Sequence, residues 1–492
     1  MSGPEQPSYA ELAAQVEVQD GVIAELRALV EVLQGEVAAL RRQVGCDSSN
    51  SSQPPGKDGP AASPRSLPRG RGGRRPGGQK GRRGTGLERV AVPDHVRRVE
   101  PDRCGGCGAG LVGAPGAIAS AVGVFDIAPI AVSVRELQMM RRTCTDCGTA
   151  TSAAAPAEVS GGPACYGPNV VAATTLLASS DVIGIERAAQ LMAALLAAPV
   201  STGFVSRCLV RLDDRLVAAG FEEAVKAGLR AAAVIGTDET PANVAEPGNH
   251  HVYTVRTMRA HTGGGADLVW SGAADNRGHD ALDAFDILEG HQGVLVRDDY
   301  GGYTKFDAHL TGVQQCCSHL FRHLADVHDI DADQRAWTDQ AAGALRAAGA
   351  AVNAARQSDP TATALDADLL ARLRRDYDQA VAVGISTNLS RRWHRGRHPG
   401  LVLAQRLQRK ADQVWLFATR FDVPWTNNGS EQAVRGVKVH QKISSCWRTL
   451  ATLQRHCRIR SYLTTTRNHG LAALTAIRRA LTGTTWIPPL PS

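Results

Sequence analysis

The chain lacks any apolar run long enough for a transmembrane helix, which needs about 20 consecutive apolar residues. Its first residues, MSGPEQPSYAEL, also lack the apolar stretch of a secretory signal peptide. Hydrophobic residues make up 43% of the 492 residues and charged residues 21%, a balance typical of proteins that bury a core. We therefore expect a cytoplasmic protein with no membrane partner, and the length predicts three or four modules.

Acidic residues are absent between Asp58 and Glu88, although the formal net charge of the whole chain is only +7. Residues 46–88 are rich in Ser, Pro, Gly and Arg, and this composition predicts a disordered basic linker. Its unopposed positive charges favour contacts with DNA phosphates, whereas a merely solubilising tether is the alternative. The candidate DNA-binding residues in it are Arg71, Arg74, Arg75, Lys80, Arg82 and Arg83.

Paired cysteines indicate metal ligands, because disulfides are not expected in a reducing cytoplasm. Cys104 and Cys107 form one C-x-x-C pair and Cys144 and Cys147 form the second, with the spacing that lets two thiolates bind one tetrahedral Zn²⁺. We predict a zinc-binding domain over residues 89–158, with short strands in VFDIAP and AVSVRELQMMRRT. The zinc site is expected to be structural, because four thiolates leave no open position for chemistry.

Apolar residues recur every seven positions near the N-terminus. Of the two seams, one is mostly β-branched and the other mostly leucine, which favours a parallel two-stranded coiled coil. We predict a dimerisation helix over residues 8–45 and hence a homodimer; a single amphipathic helix lying on the body of the protein is the alternative. The seams are Tyr9, Val16, Ile23, Val30, Val37 and Val44, and Leu12, Gln19, Leu26, Leu33 and Leu40.

A helical pattern interrupted by one proline spans residues 165–229. ERAAQLMAALL and STGFVSRCLVRL predict two helices, the second capped by Ser201 or Thr202. Since Arg207 and Arg211 lie on the second helix, the pair fits a helix-turn-helix DNA reader. An all-α packing unit fits equally well, and the sequence leaves both interpretations open.

The pattern changes to strands after Ala231. VIGTD, HVYTVRT and ADLVWSG are short β-rich runs, and two further strands, GVLVRDD and GVQQCC, alternate with helices. Three strands followed by helix, strand, helix and strand is the order of a ribonuclease-H-like domain, which we predict over residues 230–330. Asp238 then ends the first strand and Asp298 the fourth, and the two acids meet if those strands are neighbours.

A third acid is needed, because most Asp residues at strand ends only form turns. Glu431, in TNNGSEQAVRGVKVHQK, fits the first turn of a helix that Asn428 or Ser430 caps. We predict that residues 331–422 form a helical insertion that covers the active site and touches DNA. The last part of the core, which carries the third acid, is predicted over residues 423–482.

In the order of its motifs, nearly the whole chain resembles the insertion-sequence-66 group of DDE transposases. The resemblance implies that Asp238, Asp298 and Glu431 are catalytic and bind metal ions. The motifs that carry it are the N-terminal heptads, SSNSSQPP with GGQKG, the two C-x-x-C pairs, DETP at 238–241, DDYGGY at 298–303, the C-x-x-H of Cys316 and His319, NNGSEQAVR at 427–435 and KVHQKISSCWRT up to Thr449.

The chain departs from the family pattern in two places. An Asp-Gly-Tyr-type motif is expected where this chain has Asp-Asp-Tyr, so Asp299 is a rival for the second ligand. Gln432 stands where arginine is usual, which leaves Arg435 and Lys438 as the candidate phosphate contacts. His319 either lines the site or braces Cys316.

The resemblance implies a DNA transposase that binds the ends of a mobile element and then cleaves and joins strands. Three carboxylates can hold two Mg²⁺ or Mn²⁺ ions that clamp the attacking and leaving oxygens, so no covalent enzyme intermediate is required. The expected partner is double-stranded DNA, both element ends and target, which predicts association with the nucleoid. The alternatives are a zinc-containing dimeric DNA-binding protein without catalysis and a structure-specific nuclease.

Taken together, these patterns predict a multidomain α+β protein. It has an N-terminal coiled coil, zinc-ribbon-like knuckles, a helical DNA-binding region and a ribonuclease-H-like catalytic core with a helical insertion.

Overall fold

A computed structural model describes residues 9–45, 89–127, 130–154, 164–258, 268–394 and 396–489. The predicted basic linker, with its candidate DNA-binding residues from Arg71 to Arg83, lies outside the described residues. The described part combines helices with two β-sheets, in agreement with a multidomain α+β protein. None of its helices is both long and apolar enough to cross a membrane.

The N-terminal segment forms one helix, α1 (Tyr9–Gly45), over the range that the heptads predict. Its seam residues Ile23, Leu26 and Leu33 are 44%, 55% and 49% exposed. A helix lying on the body of the protein would bury one of these seams, so the exposure disfavours that alternative. Pairing with a second chain stays a prediction.

The region of the C-x-x-C pairs contains a short antiparallel hairpin of β1 (Arg141–Thr143) and β2 (Ala150–Ser152). The strand prediction for residues 131–140 was wrong, as was that for the described residues 124–127, because both stretches lie outside any strand. Their side chains are exposed, so no packing partner holds either stretch in a sheet.

Four helices follow: α2 (Pro168–Ala178), α3 (Ile185–Leu196), α4 (Thr202–Ala218) and α5 (Phe221–Arg230). Ser201 caps α4, since its side chain accepts a hydrogen bond from the Phe204 N–H at 3.1 Å. The apolar face of α4 is buried through Leu212 and Leu216, whereas Arg207 and Arg211 are exposed. The described helices therefore form a packing unit, and DNA reading by the exposed arginines stays a prediction.

A five-stranded sheet has the order β5–β4–β3–β6–β7. β3, β4 and β5 are antiparallel neighbours, whereas β6 and β7 run parallel to β3. The predicted order of three strands, helix, strand, helix and strand is confirmed, and the first and fourth strands are neighbours. The elements are β3 (Val234–Pro241), β4 (His251–Thr257), β5 (Val269–Ala274), α6 (His279–Ala284), β6 (Val294–Arg297), the 3₁₀ helix Gly301–His309, β7 (Gly312–Gln315) and α7 (Cys317–His328).

Asp238 lies inside β3 and does not end it, which corrects the expectation from VIGTD. Pairing of β3 with β4 continues to Pro241 opposite His251, whereas pairing with β6 stops at Gly236 opposite Val296. Asp298 follows directly after the last residue of β6. Both acids therefore lie toward the carboxyl ends of two adjacent parallel strands, beyond the point where their pairing ends.

The segment between the two halves of the core is helical, as predicted for the insertion. It consists of α8 (Ala332–Ser358), α9 (Ala367–Asn388), α10 (Pro399–Arg409) and α11 (Ala411–Thr419). These helices and α7 share a hydrophobic cluster around Trp337, Tyr377 and Trp415, and α11 packs against β7. The insertion is thus fastened to one edge of the sheet.

The chain ends with α12 (Asn428–Ser444), α13 (Leu450–Asn468) and α14 (Ala473–Leu481). Residues of α13 and α14, among them Tyr462 and Ile477, pack with residues of α2, α4, α5 and the sheet in one hydrophobic cluster. The predicted segments 165–229, 230–330 and 423–482 therefore meet in a common core. α12 lies across β3 and β4, next to the strand that carries Asp238.

Candidate active site

Asp238 is surrounded by other acids. Burial raises the pKa of its carboxyl well above the usual range, and the negative charges of Glu239, Asp298 and Glu431 raise it further. The structure thus brings the three predicted acids together at the carboxyl ends of β3 and β6, which we call the acidic edge of the sheet. A fourth acid, Glu239, joins them.

Asp298 and Asp299 are adjacent in sequence but face different partners. An Asp298 carboxylate oxygen accepts the Tyr300 N–H at 3.0 Å, and its charge acts on the pKa of Asp238. Asp299 faces the helical insertion, with its carboxylate 3.2 Å from the Arg406 guanidinium and bonded to the Lys410 ammonium. Of the two rivals, Asp298 is directed toward the other acids and Asp299 is held in an ion pair.

Glu431 lies in the first turn of α12, as predicted. The capping prediction was wrong, because Asn427 occupies the N-cap and its side chain accepts no hydrogen bond from the helix. Its side-chain amide instead donates to the Thr237 carbonyl at 2.7 Å, and its exposed fraction is 0%. Asn427 therefore fastens the start of the helix to β3, one residue before Asp238.

The two oxygens of Glu431 have different neighbours. Oε1 lies 3.4 Å from Nδ1 of His319 and 3.9 Å from Sγ of Cys316, whereas Oε2 lies 3.2 Å from the Arg322 guanidinium. Of the two alternatives for His319, the imidazole lines the site. Among the described residues, Cys316, His319 and Glu431 are the one group of three possible metal ligands whose ligand atoms all lie within 4.8 Å of one another.

Glu239 is a site residue for which no role was predicted from the sequence. Its carboxylate accepts hydrogen bonds from the Tyr303 hydroxyl and from Nε of Arg277, the latter at 3.2 Å. Burial raises its pKa, and the charge of Asp298 adds to this. The guanidinium of Arg277 also lies 3.9 Å from the centre of the Tyr300 ring. DETP and DDYGGY contain the acid and both tyrosines, so these motifs were the available signal, but the arginine lies in no motif.

The cations around the site pair with only some of its acids. Arg277 pairs with Glu239, and Arg322 pairs with Glu431. In the described part of the chain, no lysine or arginine forms an ion pair with Asp238 or Asp298. Two carboxylates with unpaired charge beside a third are a ligand set that hard cations such as Mg²⁺ prefer, so the residues fit the expected metal.

The candidate phosphate contacts lie on α12. Arg435 is exposed, one turn after Glu431. Lys438 donates a hydrogen bond to the Pro241 carbonyl at the end of β3. The arginine is thus exposed, whereas the half-buried lysine is bonded to the end of β3.

Each C-x-x-C pair forms a tight knuckle. The Gly108 N–H donates to the Cys104 carbonyl at 2.9 Å, and the Gly148 N–H donates to the Cys144 carbonyl at 3.0 Å. Both glycines have positive φ, +77° and +73°, a conformation that glycine adopts readily, as the zinc-ribbon prediction requires.

The two knuckles do not meet. The thiols of Cys104, Cys107, Cys144 and Cys147 do not form a group of ligands within 4.8 Å in the described structure. Residues 131–140, between the knuckles, pair with no other strand, so no sheet holds one knuckle against the other. The four-thiolate zinc site therefore stays a prediction.

Comparison with known proteins identifies two families. The profile described as "Transposase IS66 family" matches residues 163–455, which is more than half of the chain. The matched region contains the cations that pair with the site acids and the acids themselves, which are Asp238, Glu239, Asp298, Asp299 and Glu431. A family of unknown function matches residues 2–88. None of the curated proteins compared with the chain matches it.

Proposed function

We propose that this chain, which belongs to the IS66 transposase family, cleaves and joins DNA strands at a site formed by Asp238, Asp298 and Glu431. The observation that carries the proposal is that acids from three separate elements lie close together: besides burial and the charge of Glu239, the charges of Asp298 and Glu431 raise the pKa of Asp238. A DNA-binding protein without catalysis has no use for such a cluster, because like charges held together cost stability.

The sheet supports a ribonuclease-H-like core. Three antiparallel strands, with two further strands parallel to the first, give the order β5–β4–β3–β6–β7. Asp238 on the first strand, Asp298 after the fourth and Glu431 on a helix packed across the sheet occupy the positions expected from the element order. The helical insertion between the second and third acids packs around a hydrophobic cluster that it shares with α7.

The three carboxylates would hold Mg²⁺ or Mn²⁺. Such ions supply Lewis-acid stabilisation of the reacting phosphate and activate water or a DNA 3′-hydroxyl as the nucleophile. The protein fixes the ligands: Asn427 anchors α12 to β3, and the Tyr300 N–H holds Asp298. Arg322 neutralises Glu431, so it offsets part of the repulsion among the acids until a cation binds.

The remaining parts suit DNA binding. Arg435 on α12 and the basic arm from Arg71 to Arg83 would contact phosphates of element ends and target DNA in the nucleoid. The exposed seams of α1 would pair two chains, so that one dimer binds two element ends. Zn²⁺ would join the two cysteine knuckles into one structural site.

The test is DNA cleavage with Mg²⁺ by Asp238→Ala and Glu431→Ala. We expect cleavage to fall at least about 10³-fold in each, because each removes a ligand of the catalytic ions, while binding to the same DNA is retained. Glu289→Ala, which removes an exposed acid after α6, is the matched control and should cleave normally. Undiminished cleavage by either site variant would refute the proposal.

A further inference from the structure

We infer that Cys316, His319 and Glu431 form a binding site for a transition-metal ion of the Zn²⁺ class. Their sulfur, nitrogen and oxygen ligand atoms lie within 4.8 Å of one another. The inference goes beyond the proposed DNA chemistry, with which it shares only Glu431. It concerns a cluster separate from the cysteine knuckles.

The cluster is built from two helix starts. Cys316 is the N-cap of α7 and His319 lies in its first turn, so the C-x-x-H spacing directs both side chains to one side. Glu431 comes from the first turn of α12. Cys316 is 1% exposed and His319 9%, so the site is enclosed by protein. The two helix starts are also bonded to each other, since the Ser318 hydroxyl donates to the Asn428 side chain at 3.0 Å, so together they fix all three ligands.

The sulfur of Cys316 accepts backbone N–H donors. The Asn427 N–H donates to it at 3.1 Å, and the backbone amides of Ser318 and His319 also point to it. Such N–H donors stabilise negative charge on a metal-bound sulfur. Because the sulfur binds a metal ion as a thiolate, metal binding would release the thiol proton to solvent.

The imidazole of His319 offers a nitrogen that nothing in the described structure satisfies. Its Nδ1 is buried without a hydrogen-bond partner and faces Oε1 of Glu431 at 3.4 Å. The neutral imidazole is the form that binds metals. A cation between the imidazole and the carboxylate would satisfy both atoms.

The donor set selects the class of ion. Thiolate and imidazole favour Zn²⁺ over Mg²⁺, which prefers oxygen ligands alone. Oε1 of Glu431 is available to this ion, because Arg322 binds Oε2. Three protein ligands leave one position open for water or another ligand. Zinc bound here would engage the third proposed catalytic acid and so oppose cleavage in Mg²⁺.

The experiment measures zinc bound to the full-length protein after loading with ZnCl₂ and desalting, without DNA. We expect Cys316→Ala and His319→Ala each to carry one Zn²⁺ per chain fewer than the wild type. Cys317→Ala is the matched control, since that neighbouring cysteine is buried in the hydrophobic cluster of the insertion, and it should keep the full content. The comparison is a difference between variants, so zinc in the knuckles does not affect it.

Cobalt gives a second readout. Full-length protein with Cys107→Ser and Cys147→Ser should still show sulfur-to-cobalt absorption on addition of Co²⁺, and adding Cys316→Ala should abolish it. Should Cys316→Ala fail to fold, Glu431→Gln removes the carboxylate charge with little change in shape and should lower the zinc content by the same amount. Equal zinc in wild type and all cluster variants, or no zinc in the wild type, would overturn the inference. Neither result depends on whether the protein cleaves DNA.

Discussion

The acidic edge of the sheet and the two cysteine knuckles are both predicted metal sites, yet the fold brings the ligands together only at the acidic edge. The acids are far apart in sequence and are brought together, as the pKa of Asp238 shows. The cysteines of each knuckle are three residues apart and form the expected tight turn, but the two knuckles stay separate. A local motif thus ensures local geometry, whereas joining distant ligands requires a packed core.

The difference in burial explains this contrast. β3 and β6 are central strands, with Val234, Leu295 and Val296 buried, and the helices packed on the sheet fix where Asp238 and Asp298 lie. The described residues from 89 to 154 contribute nothing to the hydrophobic clusters of the described structure. Apolar burial therefore holds the acids in place, and a bound ion would have to do so for the knuckles.

The largest expected difference is in DNA cleavage between variants of Asp298 and of the adjacent Asp299. Asp298→Asn should lower Mg²⁺-dependent cleavage at least about 100-fold, because it removes a charge that faces the other acids. Asp299→Asn should lower it less than about 10-fold, since this carboxylate pairs with Arg406 and Lys410 at the partly exposed contact with the insertion. Single-turnover cleavage rates measure both, and equal losses would show that the two acids share the ligand role.

The next largest effect is expected for Asn427, which anchors the helix that carries Glu431 to β3. Asn427→Ala should lower the free energy of unfolding by about 2 kcal/mol, because the buried Thr237 carbonyl loses its amide donor. It should also weaken cleavage, since Glu431 begins the helix that this contact fixes. The measurement is urea unfolding of the metal-free protein.

Asn428→Ala is the matched control for this anchor. Asn428 is exposed and its side chain accepts a hydrogen bond from the Ser318 hydroxyl, so we expect a change below about 0.5 kcal/mol. A similar loss in both variants would mean that the start of α12 depends on helix propensity and not on its link to β3.

The sequence predicted the strand order and the acids because both leave local signals. Short β-rich runs marked β3 to β7, and motif register favoured Asp298 over Asp299. The role of Asn427 was missed, because its contact partner Thr237 is distant in sequence and an asparagine before a helix normally indicates a cap. Arg277 and Arg322 were missed for the same reason, since only the folded chain brings them to Glu239 and Glu431. The strands between the knuckles were overpredicted, because β-rich composition cannot supply a pairing partner.

A smaller effect, of opposite sign, concerns the stability cost of the acidic edge. Asp238→Asn should abolish cleavage yet raise the free energy of unfolding of the metal-free protein by about 1 kcal/mol at neutral pH. The folded-state pKa of Asp238 is raised, so its contribution to stability is fully present below the ordinary Asp pKa and is lost as pH rises through the folded value. The gain from the variant should therefore grow with pH across that range, as urea unfolding at several pH values would measure.

Glu289→Gln, at an exposed acid, is the control for this pH dependence and should follow the wild type. Mg²⁺ should stabilise the wild type more than Asp238→Asn, because the ion needs the carboxylate charge. Lower stability of Asp238→Asn at every pH would mean that the acid is held by favourable hydrogen bonds and not strained by its acidic neighbours.

The smallest expected effect concerns the stability contributed by the two cysteine knuckles. Cys107→Ser combined with Cys147→Ser should change the urea unfolding of the sheet and its helices by less than about 0.5 kcal/mol, because the knuckles contribute no residue to the described hydrophobic clusters. The same variant should lose zinc if the four thiolates form one site. A large loss of core stability would show that the knuckles pack on the sheet, and the two regions would then depend on each other for folding.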